Sequence, residues 1–479
     1  MSLIHDDFML KNEWSRLLYH KYGADMPIFD YHSHLEPEEL LKNANYSNLT
    51  EIWLKQDHYK WRLMRAAGIP EQSITGSEDD YKKFLAWSGV IEKCIGNPIY
   101  HWTHLELYRY FGIREILNPK TAPLIWEQTC SLLKEKDYRP ASLLKRARVQ
   151  GICTTDDPTN ALDLHQRIRQ EEEWEVQVIP TFRPDRAFSL RGKEYQNWLE
   201  KLERISGITI ESYDCLEEAL THRFLHFRQA GCLSGDQSIT VPDFFCRDRR
   251  IAVSAFEKLR GGNEISYQET LAYQTELMLF LAALYHDHNM VMQLHFGAAR
   301  NVSNLLFERL GPDCGGDTMG DPVDIHRIAP LFRILESWGK LPRTILFSSN
   351  PNDYEKLAAF ANCFSSDGIP GKIQLGAAWW FGDHKDGIES QLKIIARQSV
   401  LPCFVGMLTD SRSILSQSRH DYFRRILCNL LGSWAEAGEI PMDEELLGGF
   451  VRDISYRNAA EFFNFKELEQ GAGVSYGRK

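Results

Sequence analysis

The sequence predicts an α/β protein, a (β/α)8 TIM-type barrel with a helical insertion after the first strand, and three observations carry that prediction. Eight short runs rich in β-branched and apolar residues recur along the chain, each turning polar at its C-terminal end. A stretch with helical spacing follows each run, and residues 40–145, helical and aromatic in character, separate the first run from the second.

The runs are MPIFDYHSHL, VQGICTTDDP, EVQVIPTFRPD, a weaker AGCLSGDQ, NMVMQLHFGA, RTILFSSNPND, KIQLGAAWWFGD and CFVGMLTDSR. Continuous apolar strands alternating with helices read as parallel β/α units buried on both faces. In a barrel of such units the loops at the C-terminal strand ends form the active site, so the polar ends supply the candidates. These are His32, His34, Thr155, Asp156, Arg183, His295, Asn350, Trp379, Asp410 and Arg412. In the first run, strand alternation sends His32 and His34 to one face and Ser33 to the other, so two imidazoles aim at one point.

A β/α connection needs roughly 2–6 residues plus a helix, far less than the chain supplies after the first run. The division is therefore residues 1–39 for the N-terminal segment and first strand, 40–145 for a helical subdomain over or beside the barrel mouth, and 146–479 for the remaining barrel and C-terminal helices. EIWLKQDHYKWRLMRAAG and NPIYHWTHLELYRYFGIREIL carry the insertion's helical pattern. His101 and His104, three apart on a helix, suit core or helix-face duty as well as catalysis and stay outside the site. Later helices include YQETLAYQTELMLFLAALYHDH and DYEKLAAFANCF. From Arg419 to Phe463 the pattern is again helical, with a Gly-Gly break at 448 and 449, and docks on the barrel. The Gly-rich stretch 469–479 reads as a frayed end.

The formal net charge of -11 is spread in mixed-sign patches without a basic block, which excludes a nucleic-acid tracking surface. The N-terminus carries charges where a secretory signal needs an apolar core, and no run approaches a membrane span, so a cytoplasmic protein is expected. Ten cysteines without a C-x-x-C pair fit reduced thiols, neither a disulfide frame nor a thiolate zinc site.

In a closed barrel the first and eighth strands are neighbours, so His32, His34 and Asp410 meet as three N/O ligands with an open fourth position, a zinc-type Lewis-acid set. The competing reading of Asp410 is a helix N-cap before Ser-Arg-Ser-Ile-Leu. A two-metal hydrolytic site needs a bridging Lys or Glu and a further histidine near the sixth strand, which ends instead in Ser-Ser-Asn; one tightly held divalent metal is expected.

FDYHSHL, DHYKWRLMRAAG, NPIYHWTHLELYRYFGI, TTDDP, PTFRPD, MQLHFGAARN, NPNDYEKLA, AAWWFGD and GMLTDSRS resemble, in this order, the uronate (glucuronate) isomerases of the amidohydrolase superfamily. The resemblance implies a β/α barrel that converts D-glucuronate to D-fructuronate and D-galacturonate to D-tagaturonate. It implies a metal on His32, His34 and Asp410, and active-site roles for His58, Tyr59, Arg183, His295 and Arg412. LSGDQ departs from a strand end nearer S-D-H-G, and Gly382 stands where Asn is expected; FSSNPND is less hydrophobic than usual. These departures bear on substrate preference and rate.

Moving a proton from C2 to C1 of an aldose needs a base and groups that stabilise enediol oxygens. With ligands for one metal, proton transfer through a cis-enediol is expected in preference to a hydride shift. Tyr59, His58, Asp410 and Arg412 are the catalytic candidates, Tyr59 relaying a proton once a nearby cation lowers its pKa. Arg183 and Arg412 offer planar forks for the substrate carboxylate and the enediolate, in an order the sequence leaves open. His295, Trp379 and Trp380 complete the substrate site, the tryptophans with a ring face for the sugar or as core. A metal-dependent hydrolase is the alternative enzyme reading, and a barrel that only binds sugar acids the non-catalytic one. Aromatic content in the insertion suggests a homo-oligomer.

Overall fold

The computed structural model describes residues 3–190, 192–365 and 368–466. It is an α/β fold whose strands are β1 (Ile28–Asp30), β2 (Val149–Cys153), β3 (Gln177–Ile179), β4 (Ser234–Ser238), β5 (Val291–Phe296), β6 (Ala298–Ala299), β7 (Thr318–Met319), β8 (Thr344–Ser348) and β9 (Ile373–Leu375). Two parallel sheets run β1-β2-β3 and β4-β5-β8-β9, and β6 and β7 form a small antiparallel pair. Phe182 joins the two parallel sheets: its N–H donates to Ser234 O at 3.1 Å and its carbonyl accepts from Asp236 N–H at 3.0 Å. Every residue of β5 and of β8 is buried, as sheets covered on both faces require.

Seven of the eight predicted runs contain a strand, the weak AGCLSGDQ included. The eighth does not: residues 404–410 carry no ladder. They are nevertheless tied to the first run, since Asp410 N–H donates to His32 O at 3.1 Å and His34 N–H to Ser411 O at 3.0 Å. On the other side Val405 N–H donates to the Gln374 side chain at 3.0 Å, so an amide stands where a strand-to-strand bond is expected. β1 ends at Asp30, before the histidines, yet the alternation continues. Ser33 turns away to the Cys153 carbonyl while His32 and His34 face Asp410.

Between β1 and β2 the chain forms seven α-helices, from Pro37–Lys42 to Pro140–Arg146. Its aromatic residues fill their own core, where Trp53 and Trp87 are fully buried and Trp53 Nε1–H donates to Glu106 at 2.6 Å. Part of the aromatic content that suggested an oligomer thus lies inside the insertion. His104 is also structural, since its Nε2 accepts from Leu117 N–H at 2.9 Å and its Nδ1 lies 2.6 Å from the Tyr100 carbonyl; His101 pairs with Tyr422.

The helix Ser418–Glu436 packs against helix Pro98–Phe111 of the insertion. Phe463 and Phe465 stack on Tyr31 and Phe29 with ring centroids 4.9 and 4.3 Å apart, which docks the C-terminal segment as expected. The predicted Gly-Gly break is not one: Gly448 and Gly449 lie inside helix Glu444–Arg452. A Cβ on Gly448 would sit 2.6 Å from the Tyr22 ring, so this glycine serves close approach. The stretch 469–479 lies outside the described residues.

Gly235 of β4 has the same logic with a larger consequence. A Cβ there would lie 2.1 Å from Tyr285 Cζ, in a helix, Tyr267–Asp287, whose ring is fully buried. Gly235→Ala must displace that ring or the strand, and is expected to cost about 3 kcal/mol of stability in chemical denaturation; a loss below about 0.5 kcal/mol means the sheet yields freely here.

Candidate active site

The ends of the first and eighth runs build the centre. Asp410 Oδ1 lies 3.1 Å from His32 Nε2 and 3.0 Å from His34 Nε2. Asp410 adopts a left-handed φ of 47°, which aspartate tolerates better than most residues. It does not cap the following turn: Ser413 precedes the 3₁₀ segment Ile414–Gln417, and no side chain caps it. The Asp410 carboxylate is free for the site, where Trp379 Nε1–H donates to Oδ2 at 2.6 Å.

These residues fit a metal ion. Three ligand atoms converge, and each ligand has an outer partner that fixes it. The Thr155 hydroxyl lies 2.9 Å from His34 Nδ1, Asp236 lies 3.4 Å from His32 Nδ1, and Trp379 holds Asp410. Both imidazoles thus present Nε2 inward. Burial pushes His34 down to about 4, which keeps it in the neutral, metal-binding form. For His32 burial acts the same way, but the Asp236 and Asp410 carboxylates outweigh it and raise the imidazole above its ordinary value. Burial alone would raise Asp410; its two histidine partners hold it well below the usual carboxylate range.

Asp236 is the residue that sequence reasoning missed. It is fully buried in β4, with Oδ2 2.9 Å from Arg183 Nη1 and Oδ1 2.8 Å from His295 Nδ1. Although burial opposes ionisation, Arg183 and the two histidines hold Asp236 far below its ordinary value. The signal was available: a carboxylate inside a parallel strand must find a cation. His32, Asp236 and His295 form a second convergent triple. The Arg183 guanidinium already fills the cation's place beside Asp236, and His295 stacks flat on Phe347 at 4.5 Å. That triple is an internal ion-pair hub beneath the first.

Arg183 also gives its Nε to Asp185 at 2.8 Å, so both of its described partners are fixed carboxylates. Arg412 differs: its described partner is the half-exposed Asp313, 3.0 Å from Nη2 on the loop between β6 and β7. The insertion brings His58 and Tyr59 to the same place at the start of helix His58–Ala66, which Asp57 caps. Their rings stack at 4.7 Å, and Trp380 meets His58 edge-on at 5.7 Å. A cation does stand near Tyr59, but it is the buried Arg419, 5.7 Å from the ring centre. Burial and the Asp410 charge outweigh it, so the phenol is pushed well above its ordinary value. This shift of Tyr59 is opposite in direction to the lowering the sequence led us to expect.

Asp383 is a second missed residue. Burial raises it to about 7 despite Arg419 at 3.4 Å. Gly382 explains a departure noted in the sequence, since a Cβ there would lie 2.1 Å from the Tyr354 hydroxyl and no asparagine fits. Asp156 pairs inward with Thr154, and Asn350 bonds the Gly320 carbonyl, so neither polar end joins the centre. A cleft of about 470 Å³ is lined by His58, Tyr59, Asp410 and Arg412. A second cavity of about 750 Å³ shares His58 and Tyr59 and is walled by Trp102, Trp380 and Phe381.

The arrangement supplies a one-metal ligand set, a neutral hydroxyl, a carboxylate and an available guanidinium around one cleft. The family model for glucuronate isomerase matches residues 1–463. A uronate isomerase of Caldicellulosiruptor bescii is 46% identical over 460 residues, which is 96% of this chain and 99% of that protein. One of Caldanaerobacter subterraneus is 45% identical over 95% of this chain and 98% of its own length. The crystal structure of uronate isomerase from Thermotoga maritima superposes with a TM-score of 0.90 at 33% identity, covering 96% of this chain and 99% of that one.

Metal analysis of purified protein should find about one divalent ion per chain, and the double change His32→Ala, His34→Ala should lose it. Trp379→Phe, which removes the N–H on Asp410, should weaken metal binding by about 10–100-fold in competition with a chelator. Two tightly held ions per chain would overturn the reading of Asp236 and His295 as an ion-pair hub.

Proposed function

The chain belongs to the glucuronate isomerase family and is a uronate isomerase, and from that premise we propose how its residues perform the reaction. The substrates are D-glucuronate and D-galacturonate, converted to D-fructuronate and D-tagaturonate by proton transfer through a cis-enediol. The observation that carries this reading is that Asp410, held between His32 and His34, lines one cleft together with Tyr59 and Arg412.

The fold behind it is a (β/α)8 barrel in which residues 404–410 take the eighth strand position, supported by their bonds to His32 and His34. Residues 1–39, 40–145 and 146–479 act as first strand, covering subdomain and remaining barrel. Among the described residues no helix is long and apolar enough to cross a membrane, in keeping with a cytoplasmic enzyme on a small-molecule substrate. The exposed Val302, Leu305, Phe307 and Met319 support a homo-oligomer.

His32, His34 and Asp410 would hold one zinc ion, which supplies Lewis-acid polarisation of a substrate oxygen. Arg412 binds the C6 carboxylate, because its counter-ion is solvent-accessible whereas both partners of Arg183 are fixed. Arg183 acts through Asp236, whose charge orients His32 and His295. Asp410 accepts the anomeric hydroxyl proton on ring opening and delivers it to the ring oxygen as the C1–O5 bond breaks; again a free carboxylate, it then takes the C2 proton, and Trp379 fixes its orientation. Tyr59, entering as a neutral phenol, donates its proton to the carbonyl oxygen as the enediol forms and recovers one from the C2 hydroxyl. Asp410 returns the proton to C1, which balances the isomerisation. His58 stacks on Tyr59 and limits its rotation, while Trp380 walls the adjoining cavity.

Product formed in deuterated water should carry at least partial deuterium at C1, read by NMR. Tyr59→Phe should lower kcat by about 10²–10⁴-fold and leave the metal in place. Full retention of the C2 hydrogen at C1, with a primary isotope effect on a C2-deuterated substrate and a fast Tyr59→Phe enzyme, would point to hydride transfer. Arg412→Lys, which keeps the charge and removes the fork, should raise KM for glucuronate at least about tenfold.

A further inference from the structure

Two guanidiniums lie near the centre, Arg412 lining the cleft and Arg183 beneath the ligand set, and they are paired in opposite ways. Arg183 is held by Asp236, fully buried, and by Asp185. Arg412 is held by Asp313, whose side chain is 48% exposed while Arg412 itself is 22% exposed. An ion pair at an open edge is weak and exchangeable, whereas a buried one is not readily broken.

Asp313 is placed for exchange. Its other oxygen lies 3.4 Å from Arg300 Nη1, so a carboxylate leaving Arg412 keeps a cation. Arg300 is itself anchored by Asp317 at 3.1 Å and by the Trp380 ring at 4.7 Å. The backbone around Asp313 is pinned on its C-terminal side, where Arg65 donates to the Cys314 carbonyl and Arg62 to the Asp317 carbonyl. Exchange therefore needs rotation of one side chain and no loop opening. At a φ of 55° Asp313 sits in the left-handed region, which Asp and Asn tolerate alike.

We propose that Asp313 is a specificity-determining residue: it occupies Arg412 in the resting enzyme and yields it to the carboxylate of an acidic sugar, moving to Arg300. This rests on reading Arg412 as the carboxylate-binding residue. A neutral aldose has nothing to offer in the exchange and leaves the Arg412–Asp313 pair intact. The uronate pays for its own binding by breaking that pair, so the resident carboxylate sets an affinity ceiling as well as a filter.

The test uses the metal-loaded full chain, with steady-state kinetics on D-glucuronate and inhibition by acetate as a simple carboxylate probe. Asp313→Asn keeps size and backbone preference but gives up the charge. It should lower both KM and the acetate inhibition constant by about two- to fivefold, the range corresponding to an exposed ion pair, with the change in KM exceeding that in kcat. Asp313→Glu should return both values toward wild type, and thermal unfolding should be alike in all forms. Should the Asn variant fail to fold, Asp313→Gly, equally at ease at positive φ, replaces it. An unchanged or raised KM and acetate constant in the charge-free variant overturns the exchange and leaves Asp313 as a prop for Arg412. Arg412→Lys separates the two readings. If it leaves KM and acetate inhibition at wild-type values, the assignment of Arg412 fails. If it weakens both while Asp313→Asn changes neither, only the exchange fails.

Discussion

The Asp410 carboxylate, set between His32 and His34, is the interaction on which the rest of the site depends. Its backbone N–H donates to the His32 carbonyl, so the contact that assembles the ligand set also ties the eighth run to the first. The eighth run carries no ladder of its own, and side chains take over the task. Thr409 donates from backbone and hydroxyl to Asp30, and Gln417 adds a third bond to the same carboxylate. A buried aspartate below the site thus anchors the segment that presents the aspartate within it.

Beneath the ligand set lies a layer of buried charges whose sequence positions are far apart: Arg183, Asp236, His295 and His32. Isolating any one of them in a low-dielectric interior costs several kcal/mol, so the group is stable only as a set. This gives the layer an orienting role. Asp236 faces the outward nitrogen of His32 and so presents the other nitrogen to the centre. The same logic operates on the insertion side, where Arg419 lies 4.0 Å over Trp102, donates to the Thr409 carbonyl and faces Asp383. One guanidinium thereby links the covering helices, the eighth run and the loop that carries Trp379.

The insertion is more than a cover. It delivers His58 and Tyr59 through a helix whose first turn is fixed by Asp57, and Arg62 and Arg65 of that helix hold the loop that carries Asp313. The groups proposed to handle protons and the carboxylate proposed to guard Arg412 are therefore on mechanically connected elements. The proposed metal ligands belong to the sheet ends and meet the insertion through Arg419, which lies over Trp102 and donates to the Thr409 carbonyl beside Asp410.

The sequence by itself determined the alternation of strands and helices, the presence of helices between the first and second strands, and the side-by-side placing of His32 and His34, because those follow from local periodicity and from short spacings such as His-x-His. It misled where local chemistry was ambiguous. Glycines 448 and 449 read as a break because propensity ignores the Tyr22 ring, which requires the bareness of Gly448. Tyr59 read as a low-pKa relay because a nearby cation was inferred without the burial that outweighs it. Only the tertiary structure decided that Asp236 lies beneath the ligands, that Arg183 is locked while Arg412 is exchangeable, and that Asp313 reaches the site at all. Asp313 and Arg412 are 99 residues apart in the chain. Electrostatic partnership depends on distance and dielectric in space, and neither quantity is written in the order of residues along a chain.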